Sequence, residues 1–188
     1  MSEIPARSSS PAPAAADDYR LTTSFPYLVR RVGLRIGELF DRAVAPHGVD
    51  VSMFRVMAAL AEHDGQQLGQ LAAVTTIELS TLSRLVGLMS AKGLLTRRRP
   101  RGNGRIVEIT LSPKGRRLVD ELVPIAEHFE RAATAGTTPT EVERIKAILG
   151  SAYRNLDQLE AELDQRDKAA PERVQRRRAA RTATATSS

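Results

Sequence analysis

The chain has 188 residues, of which 41% are hydrophobic, 27% charged and 4% aromatic, and its formal net charge is +6. This length fits one domain with tails or two small domains. The lack of Trp and scarcity of other aromatic residues argue against a stacking platform for single-stranded nucleic acid. The absence of cysteine excludes disulfides, thiol redox sensing and cysteine-based zinc sites.

The positive charge is concentrated in two segments. Residues 84–117 hold ten Lys or Arg and one acid, whereas the remainder of 25–164 holds nine Lys or Arg and sixteen acids. Residues 165–188 add seven Lys or Arg and two acids. Charge that is gathered in this way is suited to binding phosphates.

Targeting and metal signals are absent from the sequence. It has no run of 18 apolar residues and no basic segment followed by an apolar one at its start, so we expect a cytoplasmic protein without membrane spans. The three histidines do not have the spacing of metal ligands, and we expect neither a metal nor a cofactor.

Two amphipathic helices are predicted near the start. Residues 1–20 are rich in Ser, Pro and Ala, which predicts a disordered tail. A helix over about 24–46 follows, with Pro26 in its first turn. A second helix starts at Asp50 or Ser52 and ends near Gly65. Its expected buried residues are Met53, Phe54, Val56, Met57, Leu60 and Ala61.

The next helix pair has the pattern of a DNA-reading element. A short helix over about 68–74 leads through a Thr-Thr turn into a helix over about 79–92. The apolar stripe of the second helix is Leu82, Leu85, Val86 and Met89. Its opposite face is small and polar with one arginine, which suits the major groove. The alternative is an ordinary solvated face, but such a face typically carries more Glu and Lys.

A basic β-hairpin is predicted next. Strands over 94–99 and 105–111 flank a Pro- and Gly-rich turn. Its slim cationic tip is suited to a minor groove, although a merely solvated hairpin is the alternative.

Two more helices complete the pattern. One starts at Ser112-Pro113, and the last starts at Thr140 with Glu143 three residues later, a capping-box pattern. Residues 165–188 are predicted to be a disordered basic tail, which either is simply solvated or adds non-specific DNA affinity.

The ordered motifs resemble the MarR family of bacterial winged helix-turn-helix transcriptional regulators. The similarity covers about residues 24–160 and rests on STLSRLVGLMSAKGLLTRRR, R-x-N-x-R and ITLSPKG. It implies a mainly α fold with a small β-hairpin wing: one domain over 21–164, with a winged helix over about 50–112 and dimerisation helices over about 24–46 and 112–164. It also implies a homodimer. One departure is Asn103, where the family usually has Asp two residues before its wing arginine.

Roles in binding double-stranded DNA follow from these positions. We expect Ser80, Thr81, Ser83 and Arg84 to contact base edges. Phosphate contacts are expected from Thr75, Thr76 and Lys92. The hairpin and its tip supply Arg97, Arg99, Arg101, Asn103 and Arg105.

The resemblance also implies a small aromatic or phenolic acid as effector. Cations would bind its carboxylate and apolar walls its ring, and the candidates are Tyr27, Arg31, Arg35, His47, Met53 and His128. The alternative is that these arginines are solvated or pair with acids such as Glu38, and that His47 is a plain surface residue. The sequence thus predicts a dimeric repressor that such a ligand releases from a palindromic operator. A ligand-independent or architectural DNA-binding protein is the second reading, and no enzyme activity is expected.

Overall fold

The computed structural model describes residues 19–99 and 106–185, with side chains up to residue 166. Within these ranges the elements follow the order predicted for a winged helix-turn-helix protein. They are α1 (Phe25–Val44), α2 (Val51–Glu62), α3 (Leu68–Thr75), α4 (Leu79–Ala91), β1 (Leu95–Arg98), β2 (Glu108–Leu111), α5 (Pro113–Ala133) and α6 (Pro139–Ala185). Two short 3-10 turns, Leu21–Thr23 and Ala45–His47, flank α1.

The chain forms two compact units, which part between Ala133 and Thr134. The single domain that the sequence predicted over 21–164 spans both units and stays a prediction. No single described helix is long and apolar enough to cross a membrane; α3 and α4 together qualify by length and composition only, and they are bent by 108°.

The first unit is built around one hydrophobic core. Seven elements contribute to it, and its fully buried side chains are Val44, Val56, Met57, Leu60, Leu71, Leu82, Val86, Met89, Val119 and Leu122. Among the predicted buried residues of α2, Phe54 and Ala61 are only half-buried at the edge of this core. The ring of Phe40 from α1 packs between Phe54 and Phe129, with centroids 4.8 and 5.5 Å away, and joins three helices.

Two carboxylates fix the corner between α1 and α2. Asp50 Oδ1 accepts a hydrogen bond from the Met53 N–H at 2.8 Å, which confirms the predicted start at Asp50. Asp41 Oδ1 accepts from the Val51 N–H at 2.6 Å. Gly48 lies between them with φ of 73°, a conformation that glycine adopts without strain.

The β-hairpin has a defined register with two distinct faces. Leu95 is opposite Leu111 and Arg97 is opposite Ile109, while Thr96 with Thr110 and Arg98 with Glu108 share the other face. The strands are shorter than the predicted 94–99 and 105–111. The turn, with Arg101, Asn103 and Arg105, lies outside the described residues.

The start of α5 closes the end of α4. Three successive carbonyls after α4 each accept a hydrogen bond from this turn: Lys92 O from Lys114 Nζ at 3.0 Å, Gly93 O from the Ser112 hydroxyl at 2.6 Å, and Leu94 O from the Ser112 N–H at 3.0 Å. Ser112 Oγ also accepts from the Gly115 N–H at 2.9 Å, which confirms the predicted helix start. A Cβ on Gly115 would collide with the Leu94 carbonyl, so the crossing requires glycine.

The last helix starts two residues earlier than predicted. The capping box is formed by Thr138 and Glu141, not by Thr140 and Glu143: the Thr138 N–H donates to Glu141 Oε2 at 2.7 Å, and the Glu141 N–H donates to Thr138 Oγ1 at 3.3 Å. Both pairs have the same spacing, but only the first places Pro139 at the first helical position, where its fixed φ is favourable. Hydrogen bonds from the Thr138 N–H and hydroxyl lower the pKa of Glu141.

The helix also continues beyond the predicted limit of order. α6 extends to Ala185, into the segment from residue 165 for which the sequence predicted a disordered tail. Residues 165–185 include six Ala and six Arg, which have high helix propensity.

Candidate nucleic-acid interface

Helices α3 and α4 form a helix-turn-helix. The two helices bend by 108° at the break between them, within the usual range of this motif. Thr76 makes the corner in a left-handed conformation, with φ of 55° and ψ of 29°. Such a conformation is uncommon for a β-branched residue, so the corner is held by the packing of both helices.

The outer face of α4 carries the residues predicted to read bases. Ser80, Thr81, Ser83 and Arg84 are all exposed, whereas Leu82, Val86 and Met89 on the opposite side are buried. The predicted division of this helix into a polar and an apolar face is therefore confirmed, while the DNA contacts of its exposed residues stay predictions.

Sequence reasoning missed the residue that begins this helix. The Glu78 carboxylate caps α4, accepting from the Ser80 N–H at 2.9 Å and the Thr81 N–H at 3.0 Å. It also bonds to the Ser80 hydroxyl. These hydrogen bonds, led by that from the Ser80 hydroxyl, lower the pKa of Glu78 from 4.5 to about 2. The sequence carries little signal for it, because the usual N-cap residues are Ser, Thr, Asp and Asn.

The structure changes the expectation for Thr75. Its side chain is only 4% exposed, and its hydroxyl donates to the Leu71 carbonyl at 2.6 Å. Thr75 is therefore a core residue whose hydroxyl is not available to a phosphate. Its neighbour Thr76 is exposed and donates to the Thr75 carbonyl at 2.7 Å.

Lys92 lies at the far end of α4 from Ser80. Its ammonium donates to the Gly48 carbonyl at 3.0 Å and so connects the end of the helix to the α1–α2 corner. This bond gives Lys92 a structural role, and its phosphate contact stays a prediction.

The hairpin register separates the arginines of β1. The Arg97 side chain reaches α4, where its Nη2 lies 3.9 Å from the position that a Cβ on Gly87 would occupy. Arg98 is on the other face and forms an ion pair with Glu108 at 3.6 Å. Arg99 is exposed just beyond the strand. Since Gly87 and Arg84 are three residues apart on one helix face, Arg97 adds a second cation to the exposed face of α4.

The six proposed effector residues have different environments in the described part of the chain. Arg35 pairs with Glu38 at 3.4 Å on an exposed part of α1, as in the alternative interpretation. Arg31 and His128 are exposed and Tyr27 is half-buried, while Met53 is 5% exposed within the core. The effector site of these six residues stays a prediction.

His47 does line a recess, together with two lysines. The recess has a volume of about 220 Å³ and is bordered by Gly48, Val49, Leu94 and Leu118 as well as His47, Lys92 and Lys114. None of the other five effector candidates borders it.

A helix-turn-helix followed by a two-stranded antiparallel hairpin defines a winged helix-turn-helix protein. The family model for MarR matches residues 47–106, which contain α2, the helix-turn-helix and the first hairpin strand. The winged helix-turn-helix of this chain is therefore similar to that of the MarR family of transcriptional regulators.

Similar proteins support this assignment across most of the chain. The HTH-type transcriptional repressor IacR of Pseudomonas putida is 24% identical over 146 residues, which cover 77% of this chain and 87% of IacR. A MarR-family transcriptional regulator from Silicibacter pomeroyi is 27% identical, with a TM-score of 0.68 over 76% of this chain and 96% of that one. BpsR of Bordetella bronchiseptica, whose DNA binding is regulated by 6-hydroxynicotinic acid, is also 27% identical. Its TM-score is 0.65 over 72% of this chain and 96% of BpsR.

Proposed function

We propose that this protein is a sequence-specific, dimeric transcriptional repressor that a small aromatic acid releases from a palindromic operator. The observation that carries the proposal is the exposed face of α4, which presents Ser80, Thr81, Ser83 and Arg84 beside the Arg97 guanidinium. Small hydroxyl side chains let a helix approach base edges, and an arginine recognises guanine through two hydrogen bonds. In this proposal the winged helix over 50–112 reads DNA.

Dimerisation is supported by apolar side chains that a single chain leaves in water. On α1 these are Phe25, Leu28, Val29, Val32 and Leu34. On α6 they are Ile145, Ile148, Leu149, Tyr153, Leu156, Leu159 and Leu163. Contiguous apolar surface of this kind marks interaction sites, and we assign the helices over 24–46 and 112–164 to the dimer. A two-fold axis would place two α4 helices about 34 Å apart, one turn of DNA, on a palindrome.

The effector class is proposed by analogy with the named relatives. IacR is a repressor, and 6-hydroxynicotinic acid regulates DNA binding by BpsR. The same chemistry in this chain would use cations for a carboxylate, and we retain Arg31, Arg35 and His47 as candidates, with Tyr27, Met53 and His128. The ligand would act only through its different affinity for the DNA-competent and DNA-incompetent dimers.

Three measurements on the purified full-length chain test the proposal. Light scattering after size exclusion gives the oligomeric state. Selection from a random duplex library gives the preferred sequence, and fluorescence anisotropy gives its affinity with and without benzoate, salicylate and 6-hydroxynicotinate. We expect a dimer, a palindrome with half-sites about one helical turn apart, and weaker binding with one acid. A monomer, or equal affinity for all duplexes, would contradict the proposal, and the second result would favour an architectural protein.

A further inference from the structure

The turn that begins α4 fixes the direction of one hydrogen bond at the expected DNA surface. Glu78 and Ser80 are both exposed, and the Ser80 hydroxyl lies against Glu78 Oε2. The same carboxylate accepts from the Ser80 N–H at 2.9 Å and the Thr81 N–H at 3.0 Å. Both residues therefore hold fixed positions relative to α4 before any DNA is bound.

The charge on Glu78 decides which group is the donor. The pKa of Glu78 lies at about 2, so this side chain is a carboxylate at neutral pH. A carboxylate only accepts hydrogen bonds. The hydroxyl hydrogen of Ser80 is consequently committed to Glu78, and the free lone pairs of Ser80 Oγ can only accept.

An acceptor at this position discriminates among bases. In the major groove, adenine N6 and cytosine N4 present amino donors, whereas guanine O6 and N7 and thymine O4 present acceptors. An uncommitted serine hydroxyl would rotate and pair with either kind. Ser80 held by Glu78 pairs only with an amino group.

The same carboxylate changes the electrostatics of the helix end. Free N–H groups at a helix N-terminus form a ready anion site, which in DNA-binding proteins receives a backbone phosphate. Here the protein's own anion bonds to two of those N–H groups. A phosphate at this end of α4 would meet a negative charge instead of free donors.

We propose that Glu78 is a specificity-determining residue, which makes Ser80 an acceptor-only reader of adenine or cytosine amino groups and excludes phosphate from the start of α4. The inference rests on the proposed function, since it requires α4 to enter a major groove. The competing explanation is that Glu78 is only a helix cap, which would affect stability and leave base preference unchanged.

The test compares E78Q and S80A with the wild-type chain and with E121Q, which removes an exposed charge from α5. Each protein is subjected to selection from a random duplex library. Its affinity for the wild-type consensus and for a scrambled duplex is then measured between about 50 and 300 mM salt. Circular dichroism and thermal unfolding verify that each variant is folded at the assay temperature.

We expect the wild-type consensus to contain an adenine or cytosine whose preference is lost in S80A. In E78Q the amide nitrogen can donate to Ser80 Oγ and release the hydroxyl hydrogen, so guanine or thymine becomes acceptable there. E78Q should also bind the scrambled duplex several-fold more tightly and with a steeper salt dependence, by up to about one ion per protomer. E121Q should keep the wild-type base preference.

Three results would overturn the inference, and they are distinguishable. If E78Q keeps the wild-type preference at every position and the wild-type affinity for scrambled DNA, Glu78 has no role in recognition. If E78Q lowers the Tm but leaves the base preference unchanged, Glu78 acts only as a helix cap. If the wild-type chain selects no sequence, the proposed function fails and this inference fails with it.

Discussion

The Arg97 guanidinium lies beside Gly87, with Nη2 3.9 Å from the point that a Cβ on Gly87 would occupy. Arg97 belongs to the first strand of the hairpin and Gly87 to the helix that is proposed to read DNA. This contact makes α4 and β1 parts of one cationic surface, and it identifies which of the consecutive hairpin arginines serves that surface.

Replacing Arg97 by Ala should weaken binding to all DNA sequences and reduce the slope of log affinity against log salt by about one per protomer, since one phosphate contact would be lost. R98A is the matched control, because Arg98 lies on the other hairpin face and pairs with Glu108 at 3.6 Å. Anisotropy titrations at several salt concentrations measure both. Equal salt slopes for R97A and R98A would contradict the prediction that Arg97, and not Arg98, contacts a phosphate.

Arg84 should carry sequence discrimination more than overall affinity. R84A is expected to lose about 1–3 kcal/mol of preference for operator over scrambled DNA per half-site, because it removes a two-bond guanine contact. R84K keeps the charge without the planar fork, so it should retain non-specific affinity and still lose discrimination. Competition titrations give the ratio of affinities. A fully discriminating R84A would remove Arg84 from base recognition.

The capping carboxylate Glu78 should contribute a pH-dependent part of stability. Its pKa is lowered from 4.5 to about 2 in the folded chain. The ionised form therefore favours folding above pH 4.5, and this contribution is lost as pH falls through the window from about 4.5 to about 2. The difference in Tm between wild-type and E78Q should shrink across that window, and E141Q should behave in the same direction. A difference that stays constant with pH would contradict this account.

Gly115 should not tolerate a side chain. G115A is expected to cost about 1–3 kcal/mol or more in the free energy of unfolding, because its Cβ would collide with the Leu94 carbonyl. G69A in α3 is the control, since nothing lies within 4 Å of a Cβ there and Ala has the higher helix propensity. Urea unfolding measures both variants. A G115A chain as stable as wild-type would mean that α5 shifts freely away from Leu94.

The exposed apolar residues of α6 should be needed for the proposed dimer. L156E places a charge on that stripe and should shift the chain towards the monomer in light scattering. Q158E is the matched control, because Gln158 is exposed and polar and lies on nearly the opposite side of the helix from Leu156. If L156E remains fully dimeric at micromolar concentration, Leu156 lies outside the interface.

The sequence predicted the element order and the two faces of α4 because both depend on local periodicity. It did not predict the burial of Thr75, because that depends on how α3 packs in the core. It also placed the last capping box two residues late, since Thr138–Glu141 and Thr140–Glu143 have the same spacing and only the position of Pro139 separates them. The sequence did not show which face of the hairpin lies towards α4. That depends on the strand register, which the alternation of side chains along a single strand does not determine.

Three hydrogen bonds connect the carbonyls of Lys92, Gly93 and Leu94 to the beginning of α5. They limit how far the two helix ends can move relative to each other. The end of α4 and the beginning of α5 form a stiff elbow instead of a hinge. A change in the tilt of α5 therefore also changes the orientation of α4. A signal that reaches α5 needs no flexible linker to reorient the surface that carries Ser80 and Arg84.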